Sequence, residues 1–268
     1  MEAGIMLYID CKVDIYEQIK TLKEIGVKKT FINARHPEID KVLEFIKKEG
    51  LICDNLHAEL NITHQGQKYL MQEMCNPGIV GDKMQERIMK NIDACERQNI
   101  PTIVIHSPHG APELSINDFS RKRYLELGNY AREKGVTIAF ENIQYTENLK
   151  YVMDLVPDAK FCWDCGHEYC RLVGERPMPL FGKKLAALHI HDNCLTRDDH
   201  CIPFTKNIDF DAVGRQLAES GYDGTLMLEI MYGVNEENST EPTYRDYALK
   251  AKRAAEKIID IVNNYRKP

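Results

Sequence analysis

Six short apolar runs in this chain each lead directly into a residue that can bind a metal or move a proton. No other feature restricts the fold as much. Leu51–Leu56 leads to His57, Ile103–Ile105 to His106, Thr137–Phe140 to Glu141, Ala159–Trp163 to Asp164, Leu185–Leu188 to His189, and Thr225–Leu228 to Glu229. Apolar runs this short, bounded by polar residues, have the pattern of buried strands. Gly4–Ile9 and Lys29–Asn33 read as two more, which makes eight strands. Helical segments follow the strands: Val13–Ile25, Ile39–Lys48, Ile79–Gln98, Phe119–Lys134, Glu147–Val156, Glu168–Leu172, Phe210–Ser220 and the closing Tyr244–Tyr265. Gly26, Gly50, Gly135 and Gly221 follow four of them, where a C-terminal glycine ends a helix. Strict alternation of strand and helix predicts a parallel sheet. Closing that sheet into a barrel brings all the strand ends to one face. The expected fold is α/β, a single (β/α)8 TIM barrel over residues 1–268.

The 268 residues suit such a barrel, which takes roughly 250. Formal charge is −6, which argues against a partner gripped through nucleic-acid phosphates. The nine cysteines show no framework spacing, as expected of reduced thiols in a cytoplasmic protein. Cys162 and Cys165 read as packing thiols, and Trp163 as core. The N-terminus has no signal-peptide pattern. No apolar run approaches the ~20 residues of a membrane span, so no membrane partner is expected. Two long polar stretches, Asn61–Asn76 and Asp192–Asn207, follow strands three and seven and are expected to wall the mouth. His36, His64 and His109 read as solvated loop residues, and His191 as a polar residue at the rim.

Glu141, Asp164, His189 and Glu229 would crowd three carboxylates and an imidazole into that mouth. Buried carboxylates are costly without a compensating cation. Oxygen and nitrogen donors suit one divalent ion: Mn²⁺, Zn²⁺, Mg²⁺ or Co²⁺.

Ala139-Phe-Glu-Asn142, Trp163-Asp-Cys-Gly-His167, Leu188-His-Ile-His-Asp192 and Met227-Leu-Glu-Ile230 resemble motifs of the sugar phosphate isomerase/epimerase superfamily, the xylose-isomerase-like barrels. The resemblance runs from strand three to strand eight. It implies metal ligation by Glu141, Asp164, His189 and Glu229. It also implies that Glu141 and Glu229 act as general acid and base, taking and returning a proton through an enediolate. His167 falls where such barrels bind a substrate hydroxyl. His57, His106 and His200 are expected to line the substrate pocket. Asp198-Asp-His-Cys-Ile-Pro203 resembles a loop of many sugar-type members, but Phe204 and Lys206 stand where glycines are usual.

The function this implies is a metal-dependent isomerase or epimerase of a small sugar, sugar phosphate or related polyol or keto acid. Its partner would be that carbohydrate substrate, and a homo-oligomer is left open. Three alternatives remain. Endonuclease IV belongs to the same superfamily, and its extra zinc ligands match His57, His106, His167, Asp198 and His200; that would make the chain a zinc phosphoesterase acting on abasic DNA. A keto-cyclitol dehydratase would share the proton abstraction. A non-catalytic metal-binding barrel has no chemical need for both glutamates.

Overall fold

The computed structural model describes residues 1–234 and 240–267. Eight parallel strands form the central sheet: β1 Glu2–Ile5, β2 Lys29–Asn33, β3 Ile52–His57, β4 Thr102–His106, β5 Thr137–Glu141, β6 Lys160–Asp164, β7 Leu185–His189 and β8 Thr225–Leu228. Each pairs with its neighbour in sequence, and β8 pairs with β1. Between β7 and β8 the closure is a bridge at Ile190 and Leu228. Ile190 N donates to Met227 O at 2.9 Å, and Glu229 N donates to Ile190 O at 3.0 Å. The result is the expected (β/α)8 barrel.

Strand alternation divides the side chains into two populations. Leu56, Ile105, Phe140, Trp163, Leu188 and Leu228 point outward and are buried with the helices in the main core. Trp163 takes the packing role expected of it, and its Nε1 donates to Glu168 Oε2 at 2.7 Å. The residues that alternate with these point inward. Val104, Ala139, Cys162 and Ala187 form one buried cluster there, and Met227 packs with Met6 and Phe31 in another. This layer plugs the barrel beneath the residues that end the strands.

The stretch after β3 is not the polar loop expected from its composition. Asn61–His64 and Gln67–Leu70 pair as an antiparallel hairpin, and Met71–Cys75 forms a 3-10 turn. Buried Ile62, Met71 and Met74 anchor it in the core. Arg123 then fixes the turn that follows, donating to the carbonyls of Glu73, Met74, Asn76 and Gly78. This segment packs against helix Ile79–Gln98, and among the cavity-lining residues only Leu60 comes from its vicinity. The loop after β7 does form a wall, through Asp198 and His200. Among the described residues, no helix is long and apolar enough to cross a membrane.

Candidate metal centre and active site

The ends of β3 to β8 converge as their spacing requires. His57, His106, Glu141, Asp164, His189 and Glu229 are all buried. Ligand atoms of Glu141, Asp164, His189 and Glu229 lie within 4.8 Å of one another. His189 Nδ1 is 3.2 Å from Glu141 Oε2 and 3.5 Å from Glu229 Oε2.

The surrounding residues orient this group. Asn142 Nδ2 donates to Asp164 O at 2.8 Å, and Asp164 N donates back to Asn142 Oδ1 at 2.9 Å, locking the ends of β5 and β6 together. Asp164 caps helix Cys165–Arg171, its Oδ1 accepting from His167 N at 2.7 Å. Its Oδ2 is buried with no hydrogen-bond partner, as are both ring nitrogens of His189. An unpartnered buried carboxylate oxygen and a ring nitrogen crowded by two glutamates fit a cation, so the four residues suit a divalent ion.

Three further imidazoles share a pattern. His57 Nδ1 is 2.8 Å from Ala58 O, His167 Nδ1 is 3.0 Å from Asn142 O, and His200 Nδ1 is 3.1 Å from Glu229 O. A carbonyl only accepts, so each Nδ1 carries the proton. Each Nε2 then faces a carboxylate. His57 meets Glu141 at 3.3 Å, while His167 and His200 meet Asp198 at 3.2 and 3.3 Å. His57, His106 and Glu141 form a second cluster of ligand atoms, and His191, Asp198 and His200 a third.

The electrostatics follow from this crowding. Burial alone would raise the Glu141 carboxyl; His106, His189 and His167 outweigh it and hold Glu141 well below the usual carboxylate range. Burial opposes a charge on His167, His189 and His200. Their anionic neighbours overcome it and raise all three, His200 to about 9 through Asp198. His106 goes the other way, pushed well below its ordinary value by burial.

The loop after β7 hangs on Asp192. Its Oδ1 accepts from Asn193 N at 2.9 Å and Ile208 N at 3.0 Å; its Oδ2 accepts from Thr205 N at 3.0 Å and Lys206 N at 2.7 Å. Phe204, in place of a usual glycine, takes φ 68°, the left-handed region glycine favours. The loop thus keeps a glycine-like backbone at that residue. The Phe204 ring packs against Phe210 and lies under the Lys257 ammonium, which offsets the strain.

The cavity above these residues has a volume of about 290 Å³. Met6, Leu7, Phe31 and Met231 form an apolar wall, and His57, His106, His167, His200, Glu141 and Glu229 a polar one. Ion pairs Arg35–Asp10 and Arg171–Asp198 sit at its margin. Two histidines differ from expectation. His109 lines the cavity, half-buried, with Nε2 2.9 Å from His106 Nδ1. His191 is fully buried instead of lying at the rim, with Nε2 3.3 Å from Asp164 and 3.4 Å from Asp198. Gly166 makes room for its ring.

A family model described as xylose isomerase-like TIM barrel matches residues 17–252. Among solved structures, a D-tagatose 3-epimerase-like protein has a TM-score of 0.70 and 20% identity, covering 98% of this chain and 99% of its own. The IOLI protein with a bound zinc atom has a TM-score of 0.71 and 17% identity over 99% of each chain. The D-psicose 3-epimerase of Clostridium cellulolyticum H10, with D-tagatose, has a TM-score of 0.70 and 14% identity over 100% of each. At such identities the structural likeness shows the fold. Uncharacterized protein y4fM of Sinorhizobium fredii (strain NBRC 101917 / NGR234) is 36% identical over 69 residues, 25% of this chain and 22% of its own length. This chain therefore aligns with less than a quarter of that curated relative. The family match covers most of the barrel, and the chain belongs to the xylose isomerase-like TIM barrel family.

Proposed function

We propose that this protein is a divalent-metal-dependent isomerase or epimerase of a small sugar, sugar phosphate or related polyol or keto acid. The observation that carries this reading is the placement of Glu141 and Glu229. They arrive from different strands, approach the same nitrogen of His189, and line one cavity of about 290 Å³. Two carboxylates addressing one carbon from different sides let one remove a proton and the other return it. An ion held by Glu141, Asp164, His189 and Glu229 would polarise substrate oxygens and acidify the adjoining C–H. His57, His106, His167 and His200 would hydrogen-bond the substrate's hydroxyls. The cavity is near the lower end of the roughly 300–1,000 Å³ of small-molecule sites, which favours a monosaccharide-sized ligand. The two neighbours named for epimerases, and the zinc bound by the IOLI protein, support this reading. A keto-cyclitol dehydratase would share the first proton transfer, while a non-catalytic barrel leaves the glutamate pair without a purpose.

The test is a panel of ketoses and keto sugars incubated with the metal-loaded protein in deuterated water. Exchange of a substrate C–H that is lost in Glu141→Gln and Glu229→Gln is expected. No exchange on any member of the panel would count against the reading.

One observation favours a second reading, a three-zinc phosphoesterase of the endonuclease IV type. His57, His167 and His200 commit Nδ1 to carbonyls and aim Nε2 at carboxylates, an arrangement that suits metal ligation. Further ions would then sit beside His57–His106–Glu141 and beside His167–Asp198–His200. The formal charge of −6 weighs against a DNA substrate. Elemental analysis separates the readings: about one ion per chain supports the isomerase, and about three the hydrolase.

A further inference from the structure

The imidazoles around the cavity differ in what holds their far nitrogen. His57, His167 and His200 each give Nδ1 to a backbone carbonyl, so the tautomer of the neutral ring is fixed. His106 is held by another histidine. Its Nδ1 is 2.9 Å from His109 Nε2, and the two rings are tilted by only 23°. The lone pair of one ring can therefore meet the N–H of the other near their common plane. An imidazole nitrogen, unlike a carbonyl, can donate or accept. At the far side of the ring, His106 Nε2 lies 3.5 Å from Glu141 Oε2.

This leaves the pair two states of equal charge. In the first, His109 Nε2–H donates to His106 Nδ1, and His106 Nε2–H points toward Glu141. In the second, His106 Nδ1–H donates to His109 Nε2, and His106 Nε2 offers a lone pair. In both states each ring carries one proton, and one of the two protons lies in the 2.9 Å contact between the rings.

We propose that His106 and His109 form a tautomer relay, in which His109 determines whether His106 presents an N–H or a lone pair to the cavity. His109 is a positioning residue, acting through His106. Passing from the first state to the second, the proton on His109 Nε2 moves to His106 Nδ1. The proton on His106 Nε2 leaves into the cavity, and His109 Nδ1 takes one up from solvent. Each ring ends with one proton, so the charge of the pair is unchanged, and one proton has moved from solvent to the cavity. The reverse passage carries a proton out. The inference does not depend on the identity of the substrate. It distinguishes His106 from the three carbonyl-held histidines, which cannot make this exchange while neutral.

The test is ring 15N–1H NMR of the full chain at neutral pH, first stripped by chelation and then loaded with zinc chloride. His57, His167 and His200 should keep a proton on Nδ1 in both samples. Zinc on Glu141 would take the acceptor that His106 Nε2–H faces, so His106 should move from Nε2–H to Nδ1–H on loading, and His109 from Nε2–H to Nδ1–H with it. His109→Leu should hold His106 in the Nε2–H form and weaken zinc binding beside it by about 10-fold. His109→Gln, whose amide both donates and accepts, should restore the change. One unchanging His106 tautomer in both wild-type samples overturns the relay, as does a His109→Leu variant that switches like wild type. If the Leu variant does not fold, the wild-type pair of spectra decides.

Discussion

His57 Nε2 lies 3.3 Å from Glu141 Oε2, and with Nδ1 donating to Ala58 O a neutral His57 has no proton to place between them. Two acceptors at that distance repel unless a positive charge joins them. The same holds where His167 and His200 face Asp198. Between Asp198 and the rings of His167 and His200 a proton can serve in the metal-free protein and a metal ion in the loaded one.

Metal uptake should therefore release protons. Burial works against the charged form of His200, but Asp198 outweighs it and lifts the ring to about 9, so it is protonated at neutral pH without metal. A folded-state value above the ordinary one means that its stabilising contribution is complete below the ordinary histidine range and is lost as pH rises through about 9. Zinc added to chelated protein in weak buffer near neutral pH should acidify the solution, and the effect should fade above about pH 9. An indicator dye follows it; no acidification would mean that these rings carry no displaceable proton.

Glu141→Gln and Glu229→Gln should each slow substrate C–H exchange by about 10²–10⁴-fold, the range of a lost general acid or base. Each also removes a ligand charge, so metal content must be measured alongside the rate. A variant that keeps its metal and its exchange rate would exclude that glutamate from the proton transfer.

Asp192→Ala leaves four backbone N–H groups without their shared acceptor. The expected destabilisation is about 3 kcal/mol, since hydrogen bonds to a charged group contribute about 1.5–3 kcal/mol each and water recovers part of the loss. Thermal unfolding measures it. Metal affinity should fall too, because the loop carries Asp198 and His200 to the cavity.

Gly166→Ala would place a Cβ 1.9 Å from the His191 ring, which is itself fully buried between Asp164 and Asp198. Relief requires moving the ring or the start of helix Cys165–Arg171, at a cost of about 1–3 kcal/mol. Denaturant titration should show the loss. Gly166→Ala combined with His191→Ala should recover much of it, and a lack of recovery would place the strain elsewhere.

Much of the barrel could be read from period and punctuation. A run such as Ile103–Ile105 followed by His106 carries strand, direction and cargo in four letters. The candidate quartet followed from the same rule. The hairpin at Asn61–Leu70 did not, because its alternation is written largely in polar residues and its anchor, Ile62, is a single apolar side chain. His109 and His191 were missed for a different reason. A local stretch does not reveal whether a histidine after a strand end turns outward or folds back, and the partners that hold these two, His106 and Asp164, meet them only in the folded chain. Phe204 shows the converse: the residue departs from glycine, yet the backbone at that residue keeps glycine's left-handed conformation.

The barrel closes between β7 and β8, where a bridge at Ile190 and Leu228 joins the strands. His189 stands on one side of that junction and Glu229 on the other. An ion shared by the two would act as a clasp, fastening the seventh strand to the eighth. A chelator would then act mechanically as well as chemically: the hoop would lose its rivet, and hydrogen exchange would quicken along this line before the rest of the barrel loosened.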